Sequence, residues 1–220
     1  FRSWPLLPWQ EFVAIHAHKY NPETGRFIHP EVGLIIARQN GKSTFMALRI
    51  ITGMYLWGEK LQVGTAHKLT TSSEIFWKIY EIIESSPRLM AEFSKKIESK
   101  GGQELKLLNG ARYIIRANNA ASRGISSPDT IHMDEVREYK DPEVWASMRY
   151  TQMASKNPQA WLYSNAGSQH SIILNQFRDR ALARIGGADD NCAWFEWSGI
   201  PDVKIDAENP KFWESICMAN

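Results

Sequence analysis

The sequence predicts an α/β fold, a mostly parallel central sheet with helices flanking it. Three observations carry that prediction. Strand-like and helix-like segments alternate from residue 31 to residue 166, the pattern of βαβ units. The first of these strands runs through a polar turn straight into an amphipathic helix. Two later strand-like runs end in short polar clusters, DE and SNA, where open parallel sheets bind ligands.

Taken in order, Val32–Ala37 is a short apolar run bounded by polar residues, a buried strand. Lys42–Leu56 places Phe45, Met46, Leu48, Ile50, Ile51, Met54 and Tyr55 on one broad helical face. Leu61–Thr65 reads as the next strand and Thr71–Ser85 and Pro87–Lys95 as helices. Glu104–Leu107 and Tyr113–Ala117 are strand-like, and Asn109-Gly110 between them is a hairpin signal. Thr130–Met133 and Ala160–Ser164 are strands, with a helix over Pro142–Met153 between them. After residue 168 the character changes. A helix over Ile172–Ile185 ends at Gly186-Gly187, and the acidic turn GGADDN and a Trp-rich tail follow. The division expected is a core over 1–168 and a small lid or linker subdomain over 169–220.

A chain of 220 residues, 43% hydrophobic and 23% charged, can build one substantial core. Its net charge of +2 is too small to mark a nucleic-acid binder by charge alone. Cys192 and Cys217 have no metal or disulfide spacing and read as ordinary intracellular thiols. No apolar run approaches the ~20 residues that span a bilayer. The chain opens FRSWPLLPWQ without a signal core and stops at ICMAN within an apolar-periodic stretch. That predicts a piece of something longer.

The stretch EVGLIIARQNGKSTFMALRI poses the chemical question. A strand, a tight turn and a helix are the setting of a phosphate-binding loop. Gly41 lets the backbone approach phosphates, and amides at the helix start point at them. Lys42 reaches the outer phosphates and Ser43 offers a hydroxyl to Mg²⁺. Arg38, Gln39, Asn40 and Thr44 complete the nucleotide-binding set. Ile36 stands where the usual pattern has glycine; a helix cap that happens to read Gly-Lys-Ser is the alternative.

DTIHMDEV supplies a second half. Asp134 and Glu135 follow a β-prone run, so one acid is placed to assist Mg²⁺ and the other to polarise water. His132 reads as a strand residue. Gln10, in PWQEFVA, offers an amide that both donates and accepts, as an adenine edge requires. Ser164, Asn165 and Ala166 end a buried strand within reach of a γ-phosphate. Arg123 lies in a Ser/Gly/Pro loop, where a guanidinium can neutralise charge on a transferred phosphoryl group.

In order, PWQ, ARQNGKS, RGxxSPDxxHMDE and YSNAGS resemble the large terminase subunit of tailed bacteriophages, over roughly residues 5–168. The loop beginning Ala-Arg suits that family better than the standard pattern. The resemblance implies a RecA-like, additional-strand (ASCE) P-loop ATPase, with a nuclease domain expected beyond this chain. It implies Lys42 on the β/γ-phosphates, Ser43 and Asp134 on Mg²⁺, Glu135 as base and Gln10 at adenine. Arg38 resembles the loop arginine of these motors and Arg123 an arginine finger acting in trans. Ser164-Asn165-Ala166 resembles the motif that couples hydrolysis to movement.

The function implied is ATP-driven translocation of double-stranded DNA into a procapsid in the host cytoplasm, at the portal. The partners implied are DNA, the portal protein, the small terminase subunit and further copies in a ring, with a monomer expected alone. Lys95, Lys96, Lys100 and Arg112 are the cations expected to grip the DNA backbone. A superfamily-2 helicase ATPase shares several of the motifs and is the nearest rival. A nucleotide-binding scaffold without turnover is another. Asp189-Asp190 reads as a turn, not a nuclease metal site.

Overall fold

The computed structural model describes residues 5–66, 69–99, 102–116, 125, 127–187, 191–200, 203–204, 206 and 208–219. Lys100, Arg123 and the Asp189-Asp190 turn lie outside them.

The chain opens with helix α1 (Pro8–Ala17), which has proline at its start and buries Gln10, Val13 and Ala17. No helix is assigned there from the sequence. A two-stranded ribbon, β1 (Tyr20–Asn21) and β2 (Arg26–Phe27), leads to β3 (Glu31–Ile35) and α2 (Lys42–Tyr55). Next come β4 (Leu61–Ala66), α3 (Leu69–Glu84), α4 (Pro87–Ala91), β5 (Phe93–Ser99), β6 (Gly102–Leu107) and β7 (Arg112–Ile115). The remainder is β8 (Thr130–Asp134), a short 3₁₀ turn (Val136–Glu138), α5 (Pro142–Thr151), β9 (Gln159–Ser164), α6 (Ile172–Ile185), β10 (Cys192–Glu196) and α7 (Pro210–Ala219).

Eight strands form one sheet in the order β10-β3-β9-β8-β4-β7-β6-β5. From β10 to β7 every pair is parallel, and β6 and β5 add an antiparallel edge. Strand β9 lies between β3 and β8, so an additional strand separates the loop-bearing strand from the acid-bearing one. That is the sheet order the family resemblance implied.

Alternation along the strands splits the core into two layers. Val32, Leu34, Trp161, Tyr163, Tyr113 and Leu105 face α1, α2 and α3. Ile35, Ile131, Met133, Ala160 and Leu162 face α5 and α6. Gly33 is required by contact. A Cβ there would come within 2.2 Å of the Trp194 ring from β10.

One expectation is corrected. The helix expected over Pro87–Lys95 stops at Ala91, and Phe93–Ser99 is strand β5. The cause is non-local: β5 pairs along β6, and Phe93 packs against the core. Residues after 168 contribute to the same sheet and to one of its core layers. Ile173, Leu174, Phe177 and Cys192 pack with Ile131 and Leu162, and β10 is hydrogen-bonded to β3. The Asn109-Gly110 hairpin forms as read, with Gly110 at φ 86° and the Asn109 side chain accepting from Ala111 N–H at 2.8 Å.

Candidate nucleotide site

Past β3 the chain reverses over Arg38–Gly41 and enters α2. Gly41 caps the helix at φ 85°, a left-handed conformation that side chains resist. A Cβ at Gly41 would also stand 2.9 Å from the Gln10 amide nitrogen. The Gln10 Nε2 donates to Gly41 O in the loop at 3.2 Å, and its Oε1 accepts from Leu7 N–H at the start of α1 at 2.9 Å. Gln10 thus touches the loop at Gly41 O and is not among the residues lining the cavity.

The loop faces a cavity of about 430 Å³. Arg38, Gln39, Gly41, Lys42, Ser43 and Thr44 line it from the loop side, Asp134, Glu135 and Asn165 from the strand ends. The topology explains the convergence. β3, β9 and β8 are neighbours in parallel, so their carboxyl ends open on one side. Lys42 Nζ donates to Asp134 Oδ1 across a separation of 92 residues, and both side chains are largely buried. Asp134 also accepts from Glu135 N–H at 2.9 Å.

Glu135 has φ 54°, outside the usual range for a residue with a Cβ. Of the three described non-glycine residues with positive φ, Gln39 and Glu135 both line this cavity. Strained backbone of that kind clusters at functional sites. Ser164 accepts from Arg137 N–H at 3.2 Å, tying the end of β9 to the turn after β8. Asn165 Oδ1 is buried with no hydrogen-bond partner among the described residues. Ala166 lies outside the cavity. His132 is buried between Gln62 Oε1 at 2.9 Å and the Tyr163 hydroxyl at 3.3 Å, and burial holds its pKa well below 6.5.

A family model, the terminase large subunit ATPase domain, matches residues 8–181. The chain belongs to that family. Among solved structures, the HK97 bacteriophage large terminase superposes with a TM-score of 0.79 at 20% identity, over 99% of this chain and 43% of that one. The large terminase of a thermophilic bacteriophage in complex with ADP gives 0.64 at 11% identity, over 87% and 45%. The isolated large terminase ATPase domain of a Thermus phage gives 0.58 at 14% identity, over 89% and 87%. This chain thus spans less than half the length of the first two. No curated protein matches it.

Two features of the terminase domain escaped the sequence reading. Glu74, Ile75 and Lys78 of α3 line the same cavity. Their signal was only a helical spacing on an element whose partner could not be read. Among the expected DNA-gripping cations, Lys95 and Arg112 are exposed on β5 and β7. Lys96 instead lies over the Trp77 and Tyr80 rings, at 4.2 and 4.3 Å, and pairs with Glu98 at 3.2 Å. Lys106 was missed: strand register sets it directly between Lys95 and Arg112. Glu104 follows two residues away on the same face.

Proposed function

We propose that this terminase domain binds Mg·ATP in the loop cavity and hydrolyses it to drive double-stranded DNA into a procapsid. The observation that carries the reading is the meeting of Lys42 with Asp134 in a cavity that also holds Glu135 and Asn165. The donor set fits the ligands. Asn165 Oδ1, in the cavity wall, is a buried acceptor without a partner among the described residues. Among those residues no cluster of three or more His, Cys, Asp or Glu could hold a metal alone. One carboxylate and one hydroxyl suit Mg²⁺, which takes few protein ligands and completes its shell with phosphate and water.

Ser43 and Asp134 would hold Mg²⁺ there, which would supply charge neutralisation on the phosphates. Lys42 releases Asp134 and turns to the β/γ-phosphates. Loop amides and Arg38 receive the remaining oxygens. Glu135, held off its strand by a strained backbone, accepts a proton from the attacking water, and Asn165 orients that water. Gln10 fixes the loop at Gly41 O and Ser164 links β9 to the acid-bearing turn, a route from the phosphate to the sheet. Arg123 acts on the neighbouring subunit of a ring. The row Lys95–Lys106–Arg112 meets DNA phosphates, since like charges opposed across three strands repel one another unless an anion covers them. The portal and small terminase subunit are the expected partners, at the procapsid in the host cytoplasm. The matching family favours this reading over a helicase.

The test is ATP turnover against protein concentration for wild type, Glu135→Ala, Arg123→Ala and an equal mixture of the two variants. Turnover that rises with concentration, vanishes in each variant and partly returns in the mixture supports the ring motor. Turnover independent of concentration that survives Arg123→Ala removes it.

A further inference from the structure

We infer that Lys78, on helix α3, is a third cation of the polyphosphate site beside Lys42 and Arg38. The inference rests on the nucleotide reading above and extends it to an element outside the loop, the acidic pair and the coupling motif.

Packing fixes the rotation of α3. Ile75, Phe76, Ile79, Ile82 and Ile83 are all buried in the core that α2 shares. Lys78 follows Ile75 by three positions and Glu74 by four, so the three residues share one flank of the helix. That flank borders the cavity whose other walls are Lys42, Ser43, Thr44, Asp134, Glu135 and Asn165. Lys78 is half-buried there and Glu74 exposed. Its neighbours Trp77 and Tyr80 point elsewhere, under Lys96. The flank is therefore set by the fold and not by chance exposure.

The charge arrangement gives the direction. Three cations, Arg38, Lys42 and Lys78, and three carboxylates, Glu74, Asp134 and Glu135, line one cavity. Lys42 and Asp134 satisfy each other directly. With nucleotide bound, Asp134 would hold Mg²⁺ and Lys42 would turn to phosphate, leaving further negative oxygens of the polyphosphate in the cavity. Lys78 takes one of them as a charge-assisted contact from the α3 wall of the cavity. Glu74, one turn before it, carries the charge that phosphate repels. It tempers the attraction.

The two residues thus have opposite signatures. ATP affinity is measured by titration calorimetry on wild type, Lys78→Gln, Lys78→Arg and Glu74→Gln, at low and at raised salt, with thermal melts as the folding control. Lys78→Gln is expected to weaken ATP binding about tenfold, the loss of one ionic hydrogen bond at a partly solvated site. Lys78→Arg restores most of that loss. Glu74→Gln leaves ATP binding unchanged or tightens it by about twofold at low salt, an effect that salt erases. Wild-type affinity in a folded Lys78→Gln variant, or a loss of affinity in Glu74→Gln that matches the loss in Lys78→Gln, overturns the inference while leaving the nucleotide site standing. Failure of wild type itself to bind ATP overturns the nucleotide reading and the inference with it.

Discussion

Replacing Glu59 by alanine isolates one charge on which the geometry of the site depends. Arg49 of α2 donates to both Glu59 oxygens, at 3.0 and 2.7 Å. The arginine side chain is 1% exposed and the glutamate 8%. The same guanidinium reaches Thr130 Oγ1 on β8 at 3.3 Å and Gln159 Oε1 on β9 at 3.2 Å. One arginine therefore ties the loop-bearing helix to the acid-bearing strand and to the additional strand between. Glu59→Ala strands that cation. Removing one partner of a buried pair costs about 3–5 kcal/mol. The remaining contacts, including the Trp57 ring 4.7 Å from the guanidinium carbon, hold the loss to the lower end, about 3 kcal/mol. For a domain of this size the melting temperature then falls by about 6–12 °C. Urea titration followed by tryptophan fluorescence reads the loss as a lower midpoint at an unchanged slope. Arg49→Met combined with Glu59→Met should recover much of it, because no unpaired charge is left. A Glu59→Ala protein within 0.5 kcal/mol of wild type would refute the reasoning: the pair would then be compensated by water or by movement of Arg49.

Gly41→Ala is expected to abolish measurable ATP binding at a cost of about 1–3 kcal/mol in stability, because it forces a side chain into a left-handed turn and against Gln10; calorimetry and a melt separate the two effects. His18 gives a pH signature. Its ring packs by Trp57 and Trp161, and burial, with the Arg49 charge second, lowers its pKa from 6.5 to about 3. The unfolded chain binds the proton first, so this contribution is whole above pH 6.5 and is lost as pH falls towards 3. At pH 5 it has dropped by about 2 kcal/mol, and His18→Gln should flatten urea midpoints between pH 7 and pH 5 by that amount.

The sequence by itself determined the fold class and the positions of the Gly41-Lys42-Ser43 turn and the Asp134-Glu135 pair at strand ends, because each is written in local order. Apolar alternation marks a strand, a 3.6-residue stripe marks a helix, and Gly41-Lys42-Ser43 and Asp134-Glu135 follow strands directly. The hairpin was legible for the same reason, since Asn109-Gly110 specifies its own turn. What local order does not carry is who pairs with whom. Local order reads Phe93–Lys95, the start of β5, as helix because only its bonds to β6 make it a strand, and it leaves β10 unmarked because only the edge of β3 recruits it. Tertiary structure alone decided that Gln10 touches the loop at Gly41 O without lining the cavity, that Lys96 turns onto two aromatic rings while Lys106 joins Lys95 and Arg112, and that Lys78 borders the cavity. Each of these depends on the packing of elements distant in the chain, which fixes the face a side chain presents and leaves no trace in the residues beside it.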